Sequence, residues 1–232
     1  MNTSVFLDFV RLVIDGKIDK VSACLHANPV LATMASPVGA TRQQSTSFFF
    51  DSISHYLYAD DTALHMAAAA FRQPIAELLV THGADCRAKN RRGAEPLHYA
   101  ADTNRADLKA QADVITFLML IGANPDAVDN SGVAPLHRAV RTRSEVAVRA
   151  LLDGGANPRQ PNKSGSTPLH LAVQTTGAGG SGSDEARRQQ AGIIRLLLER
   201  GAKPTDQDTR GKQVWQAATS EWIRTLLNEA QP

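Results

Sequence analysis

A repeating unit limits what this chain can fold into more than any other feature of its sequence. A Leu-His pair recurs at residues 64–65, 97–98, 136–137 and 169–170. A Gly-Ala pair recurs at residues 83–84, 122–123, 155–156 and 201–202. Fifteen residues separate each of these glycines from the next histidine, or from Gln216 in the last copy. The basic unit is 33 residues long, and insertions of 6 and 13 residues lengthen the second and fourth copies. Periods of this length are typical of stacked repeats.

Each unit reads as a pair of helices. In the clearest copy, Pro168 suits a first helical turn because its missing N–H costs no bond there, and Thr167 can cap that helix. The Leu-Leu run at 196–198 predicts a second helix, and Gly201 suits its end, where glycine adopts a left-handed conformation easily. The segments 165–173 and 194–202 together resemble the ankyrin repeat.

The resemblance covers roughly residues 58–230 and implies an all-α solenoid of stacked helix pairs joined by β-hairpin loops. We predict one domain over 1–232. Its parts are a degenerate N-terminal cap repeat at 1–36, an aromatic-rich insertion at 37–60, four full repeats at 61–207 and a C-terminal cap repeat at 208–232. The repeats carry insertions near 102–109 and 175–190, between their two helices, which predicts that both emerge on the same edge.

The aromatic-rich insertion, called here the aromatic segment (residues 37–60), has two interpretations. It either packs over the apolar surface of the first repeat or offers exposed anchors to a partner. Three consecutive phenylalanines at 48–50 would promote aggregation in water, so packing is favoured. Asp60 stands where later repeats have a turn glycine, so the first hairpin is expected to be altered.

The sequence contains no motif for catalysis, a metal or a cofactor. His65, His98, His137 and His170 occur once per repeat, and we expect each to bond the hairpin backbone rather than a metal. A nucleophile elbow, a phosphate-binding loop and a dinucleotide motif are missing from the sequence. The two cysteines are too few for a disulfide framework. We therefore predict a protein that is not an enzyme and has no cofactor, no metal and no catalytic residue.

Composition favours a monomeric cytoplasmic protein that does not enter a membrane. No apolar run approaches the length of a membrane span, and the N-terminal stretch from Val5 to Ile14 lacks the features of a signal peptide. The net charge of +2 is far below that of a dedicated nucleic-acid binder.

In ankyrin proteins the hairpin tips and first helices form a concave binding face, and carrying these positions over gives nine candidates. They are Lys89, Arg91, Arg92, Tyr99, Asp102, Arg138, Arg141, Lys163 and Gln174. The resemblance implies a protein–protein interaction module, and the arginines favour a partner with an acidic segment. The alternative is nucleic acid or a phosphorylated ligand in an arginine-rich groove. We expect alanine at Arg91, Arg92, Arg138 and Arg141 to leave stability nearly unchanged, as is usual for surface positions.

Overall fold

The computed structural model describes residues 3–102, 107–174 and 182–229, and the centres of the two predicted inter-helix insertions lie outside these ranges. Thirteen α-helices fall within the described residues. In chain order they are α1 Thr3–Ile14, α2 Ile18–Ala27, α3 Val30–Thr33, α4 Ala63–Ala69, α5 Gln73–Thr81, α6 Pro96–Ala101, α7 Leu108–Leu120, α8 Pro135–Arg141, α9 Glu145–Asp153, α10 Pro168–Ala172, α11 Asp184–Glu199, α12 Val214–Ala217 and α13 Glu221–Glu229.

The helices form six antiparallel pairs that stack in chain order, with α3 as a short addition to the first pair. The first helices of successive repeats, α4, α6, α8 and α10, pack against one another, as do the second helices α5, α7, α9 and α11. A continuous core of alanine, leucine, isoleucine and valine side chains runs through the stack. The predicted all-α repeat solenoid is confirmed.

The four motif histidines join neighbouring repeats, which confirms the expectation that they bond the hairpin backbone. In the first full repeat, Nδ1 of His65 accepts the backbone N–H of Thr62 at 3.1 Å, and Nε2 contacts the carbonyl of Ala94 in the next hairpin at 3.1 Å. His98, His137 and His170 repeat the arrangement with the carbonyls of the hairpins that follow them. Since Nδ1 accepts, the proton lies on Nε2 and the ring is neutral.

Burial of these rings disfavours the charged imidazolium. Desolvation lowers the pKa of His65 and His137, and together with the positive charge of Arg138 it lowers the pKa of His98 from 6.5 to about 3. A second proton would also place an N–H on Nδ1 against a backbone N–H. The joints between repeats therefore depend on neutral histidine.

The hairpin tips are linked to one another by backbone hydrogen bonds. The N–H groups of Arg91, Asn130, Lys163 and Thr209 donate to the carbonyls of Ala59, Arg92, Ser131 and Ser164, over 2.8–3.3 Å. A Cβ on Gly132 would lie 2.6 Å from the backbone nitrogen of Lys163, so the turn glycine permits this approach. Asp60 adopts φ +66°, close to +74° at Gly132. The carbonyl of the preceding residue, Ala59, accepts the Arg91 N–H in the same series of bonds. The expected alteration of the first hairpin is nevertheless confirmed in its hydrogen bonds. The N–H groups of Asp60 and Leu57 donate to the carbonyls of Ser36 and Phe48, whereas those of Gly132 and Asp129 close their own hairpin on Asp129 and Val133.

The two inter-helix insertions lengthen the second helices of their repeats. Helices α7 and α11 have 13 and 16 residues, against 9 in α5 and α9. Asp107 and Ser183 cap the lengthened helices by accepting the backbone N–H of Ala110 and Ala186. Even so, no helix among the described residues is both long and apolar enough to cross a bilayer.

Leu136→Ala should lower the free energy of unfolding by about 2–5 kcal/mol. Leu136 is 1% exposed on α8, so its truncation opens a cavity between repeats. Chemical denaturation measures the loss, and Leu120→Ala is the control because Leu120 is 80% exposed at the end of α7. Equal losses of unfolding free energy in the two variants would contradict the burial of Leu136 between the repeats.

Acid should destabilise the fold through His65, His98 and His137, whose pKa values are all lowered in the folded chain, and His98 shows the direction of the effect. Its pKa is lower in the folded chain than in the unfolded chain, so its contribution is complete above pH 6.5 and is lost as pH falls from 6.5 toward 3. The loss amounts to about 1.4 kcal/mol per pH unit for this one side chain. Denaturation curves between pH 7.5 and 5.5 measure it.

His98→Gln should remove the part of the pH dependence of the unfolding free energy that comes from protonation of His98. Glutamine fits because Gln216 occupies the equivalent position in the last copy, where its Oε1 accepts the N–H of Gln213 at 2.9 Å. The variant is expected to be less stable at neutral pH, because it loses the bridge to the next hairpin, but less sensitive to acid. A slope identical to that of the unsubstituted chain would refute the role given to His98.

Candidate interaction surface

The aromatic segment folds onto the hairpin and first helix of the repeat that contains α6. It contains a short 3₁₀ helix, Thr46–Phe48, and a two-stranded hairpin of β1 Phe49–Phe50 and β2 His55–Tyr56, with Phe49 opposite Tyr56. Ile53 and Leu57 are buried in the core, and the ring of His55 lies 4.3 Å from that of Tyr99 on α6. The favoured interpretation of packing is confirmed, but the surface covered includes α6 and not the first repeat alone.

A buried carboxylate fixes this arrangement. Asp61 is 0% exposed and accepts hydrogen bonds from the Tyr99 hydroxyl and from Nδ2 of Asn90, each over 2.8 Å, and from the backbone N–H of Tyr58 over 2.6 Å. Burial and the negative charge of Asp61 raise the pKa of Tyr99 well above its usual value, so its hydroxyl stays protonated and donates. Asp61 thus ties the aromatic segment to two parts of the next repeat.

Tyr99, predicted from its helix position to contact a partner, lies instead in the core. Its side chain is 1% exposed, between His65, His55 and the carboxylate of Asp61. The aromatic segment covers this position through the ring of His55. The prediction for Tyr99 is corrected accordingly.

Arg91 and Arg92 are exposed on the hairpin tip beside the aromatic segment. Their guanidinium carbons lie 5.8 and 4.8 Å from the ring centroid of Tyr58, within the range of a cation–π contact. A guanidinium nitrogen of Arg91 also donates to the carbonyl of Ala40. Lys89, on the same hairpin, is 58% exposed, with Nζ 3.9 Å from the buried Glu95 carboxylate.

Arg138, Asp102 and Arg141 form an ion-pair network at the floor of the groove. Arg138 is 6% exposed and donates to Asp102 at 3.0 Å and to Asp129 at 2.8 Å, while Arg141 donates to the other oxygen of Asp102 at 2.6 Å. Burial alone would raise the pKa of Asp129, but hydrogen bonds from Arg138 and from the Val133 and Ser131 amides lower it. Arg138 is therefore a buried ion-pair partner, which contradicts the surface position on which the expectation of nearly unchanged stability rested.

The last two candidates lie further along the array. Lys163 is exposed on the fourth of the linked hairpin tips. Gln174 is exposed after α10, where it lines a cleft with Arg141, Leu171 and Ile193. Apart from Tyr99 in the core, the candidates therefore fall into a row on the tips, a neutralised network on the floor and one cleft, rather than a single basic groove.

Sequence reasoning missed the residues that the aromatic segment brings to this face. His55, Tyr56 and Tyr58 line a cleft of about 150 Å³ with Arg92, Asp102 and Arg138. Arg42, Tyr56 and Tyr58 line a second pocket with Arg91 and Arg92. The clustering of aromatic residues was the available signal, but nothing in the sequence showed which helix they would meet.

Nothing in the described parts of the chain resembles a metal site. Across residues 3–102, 107–174 and 182–229, no three His, Cys, Asp or Glu side chains are grouped so that they could hold a metal ion. His55 is held by a hydrogen bond of 2.8 Å between Nδ1 and the carbonyl of Tyr56, and its burial lowers its pKa.

Two family models match the repeated part of the chain. One, described as ankyrin repeats (3 copies), matches residues 106–208. The other, described as ankyrin repeats (many copies), matches residues 64–118. Together they span 64–208, which leaves α1, α2, α3, the aromatic segment, α12 and α13 outside both matches.

Arg138→Ala should lower the free energy of unfolding by about 3–5 kcal/mol, because it leaves the buried Asp129 carboxylate without its ion-pair partner. Arg141→Ala is the matched control. Its side chain is 61% exposed and binds the same Asp102, so its loss should cost less than about 1 kcal/mol. Denaturation at pH 7.5 compares the two, and a smaller effect at Arg138 than at Arg141 would contradict a structural role.

Proposed function

Because the chain belongs to the ankyrin-repeat family, we propose that it binds a partner protein through an acidic segment of that partner and performs no catalysis. Ankyrin repeats are generally protein–protein interaction modules and typically not enzymes. The two cysteines, Cys24 and Cys86, are both free thiols, which supports a reducing compartment such as the cytoplasm.

One observation carries the choice of an acidic partner: a row of cations without carboxylate partners. Arg91, Arg92 and Lys163, called here the tip row, are exposed, and no carboxylate in the described residues lies within 4 Å of their charged nitrogens. Arg138 and Arg141, on the floor of the groove, are already neutralised by aspartates. Among the candidate cations, those still available to a partner therefore lie at the tips.

The tips also hold these cations in a fixed relation. Bonds of 2.8 Å from Asn130 N–H to the Arg92 carbonyl, and of 3.3 Å from Lys163 N–H to the Ser131 carbonyl, connect three successive hairpins. A rigid row loses less conformational entropy on binding than three cations on independent loops would. An extended peptide lying across the tips could meet Arg91, Arg92 and Lys163 in turn.

The cleft beyond the network offers apolar contact to the same partner. Val140, Leu171 and Ile193 line it together with Gln174 and Arg143. Interfaces usually combine such an apolar patch with charged residues around it. An acidic segment flanked by an aliphatic or aromatic side chain would therefore fit this face best.

Selection of a displayed random peptide library tests the proposal. We expect peptides rich in Asp and Glu, and a loss of at least tenfold in affinity when Arg91, Arg92 and Lys163 are all replaced by alanine. The charge-matched control replaces Arg149, Arg188 and Arg195, which are exposed on the second helices. This variant should bind the selected peptides as the unsubstituted chain does.

Three results would count against the proposal. Selected peptides without acidic enrichment would do so, and so would equal losses in the two triple variants. The third is tighter binding to a 20-base-pair DNA than to any peptide, with affinity falling by orders of magnitude as salt rises. That last result would favour the nucleic-acid alternative.

A further inference from the structure

The aromatic segment builds a pocket that the repeats alone would not have. Its lining is formed by Ala40, Thr41, Arg42, Ser45, Tyr56, Tyr58, Arg91 and Arg92, and its volume is about 400 Å³. Three of these side chains are arginines and none is acidic. We call this the arginine pocket.

The three guanidinium groups keep their full positive charge. No ion pair in the described residues involves Arg42, Arg91 or Arg92. The partners that Arg91 and Arg92 do have, the Tyr58 ring and the carbonyl of Ala40, orient a guanidinium group without neutralising it. Three like charges around one pocket repel each other, and a bound anion would offset this electrostatic repulsion.

The wall of the pocket formed by Ala40, Tyr58 and Arg91 is held in place before any ligand binds. Tyr58 is held through its backbone N–H by Asp61 at 2.6 Å, and Ala40 N–H donates to the Leu57 carbonyl at 2.8 Å. Arg91 is tied to the aromatic segment by its own N–H, which donates to Ala59 at 3.1 Å. A preorganised anion site binds more tightly than the same cations on flexible loops.

We propose that the arginine pocket binds a phosphorylated side chain of the partner protein, an inference that rests on the proposed protein-binding function. A phosphate monoester carries about −1.5 to −2 charges at pH 7 and has three acceptor oxygens, which suits several guanidinium groups at once. A single carboxylate satisfies one guanidinium in a bidentate pair and would leave two arginines unpaired. The hydroxyl groups of Thr41 and Ser45 supply additional neutral donors.

A phosphorylated side chain fits this site better than a nucleic-acid backbone does. Three arginines converge on one pocket, which matches a single dianion. A nucleic acid presents a phosphate at every nucleotide and is bound by cations spread along a track. The net charge of +2 over 232 residues gives little long-range attraction for a polyanion.

Three fluorescent peptides that differ at one position test the inference directly. The position holds phosphoserine, glutamate or serine, and the flanking residues are glycine and alanine. We expect the phosphoserine peptide to bind at least tenfold more tightly than the glutamate peptide. Resonances of the Arg42, Arg91 and Arg92 side chains should shift in ¹⁵N NMR spectra as it binds.

Arg42→Gln separates this inference from the proposed function. Arg42 is exposed and lies outside the tip row, so the variant should fold normally and still bind the acidic peptides selected with the tip row. It should lose the preference for phosphoserine over glutamate. Arg188→Gln, on the outer face of α11, is the matched control and should keep that preference.

Each outcome decides the inference. Equal binding of the phosphoserine and glutamate peptides, or a preference that survives Arg42→Gln, would overturn it while leaving acidic-peptide binding by the tip row intact. Tighter binding of a 12-base-pair DNA than of the phosphoserine peptide would also overturn it. The chain could instead select no acidic peptides and still show a phosphoserine preference that depends on Arg42. That result would support phosphate binding by the arginine pocket and contradict acidic-peptide binding by the tip row.

Discussion

The hydrogen bonds of the motif histidines connect the repeats, and the rest of the structure depends on them. Each ring accepts an N–H at the start of its own helix and contacts the carbonyl of the next hairpin, so one side chain sets both local and inter-repeat geometry. Both ring nitrogens are used, and in His65 and His98 the ring is fully buried. The interaction therefore requires the neutral tautomer with its proton on Nε2.

The hydrogen bond from each motif histidine to the next hairpin also fixes the position of the hairpin tips relative to the core. A carbonyl held by a histidine places its hairpin against the stack, and the tips are then close enough for backbone bonds between successive turns. The helix stack therefore determines the spacing of the tip cations. A binding row on loops thus gains the rigidity of the core beneath it.

The repeated features could be predicted from the sequence because their contacts recur once in each repeat. The bond from His65 to Ala94 spans 29 residues and recurs, so the pattern alone indicates it. The contact of Tyr99 with Asp61 spans 38 residues and occurs once. No pattern could indicate it, because it depends on how the aromatic segment folds back.

The same limit explains the misplaced site residues. Tyr99 and Arg138 occupy helix positions that face the groove in a regular repeat, and the expectation of exposure followed from that regularity. Tyr99 is covered by the inserted segment, and Arg138 is buried by aspartates from the preceding helix end and from its own hairpin, neither of which belongs to the motif. Positions on the hairpin tips were less affected because the turns remain at the surface.

The aromatic segment alters the binding face because it covers part of α6 and adds side chains of its own beside the hairpin tips. It covers Tyr99 on α6, and it adds Arg42, Tyr56 and Tyr58 next to the tip arginines. The exchange depends on Asp61, because a buried carboxylate must find donors, and it finds them in Tyr58, Asn90 and Tyr99. The cost of burying that one charge thus specifies where the segment lies and, through it, which side chains the chain presents to a partner.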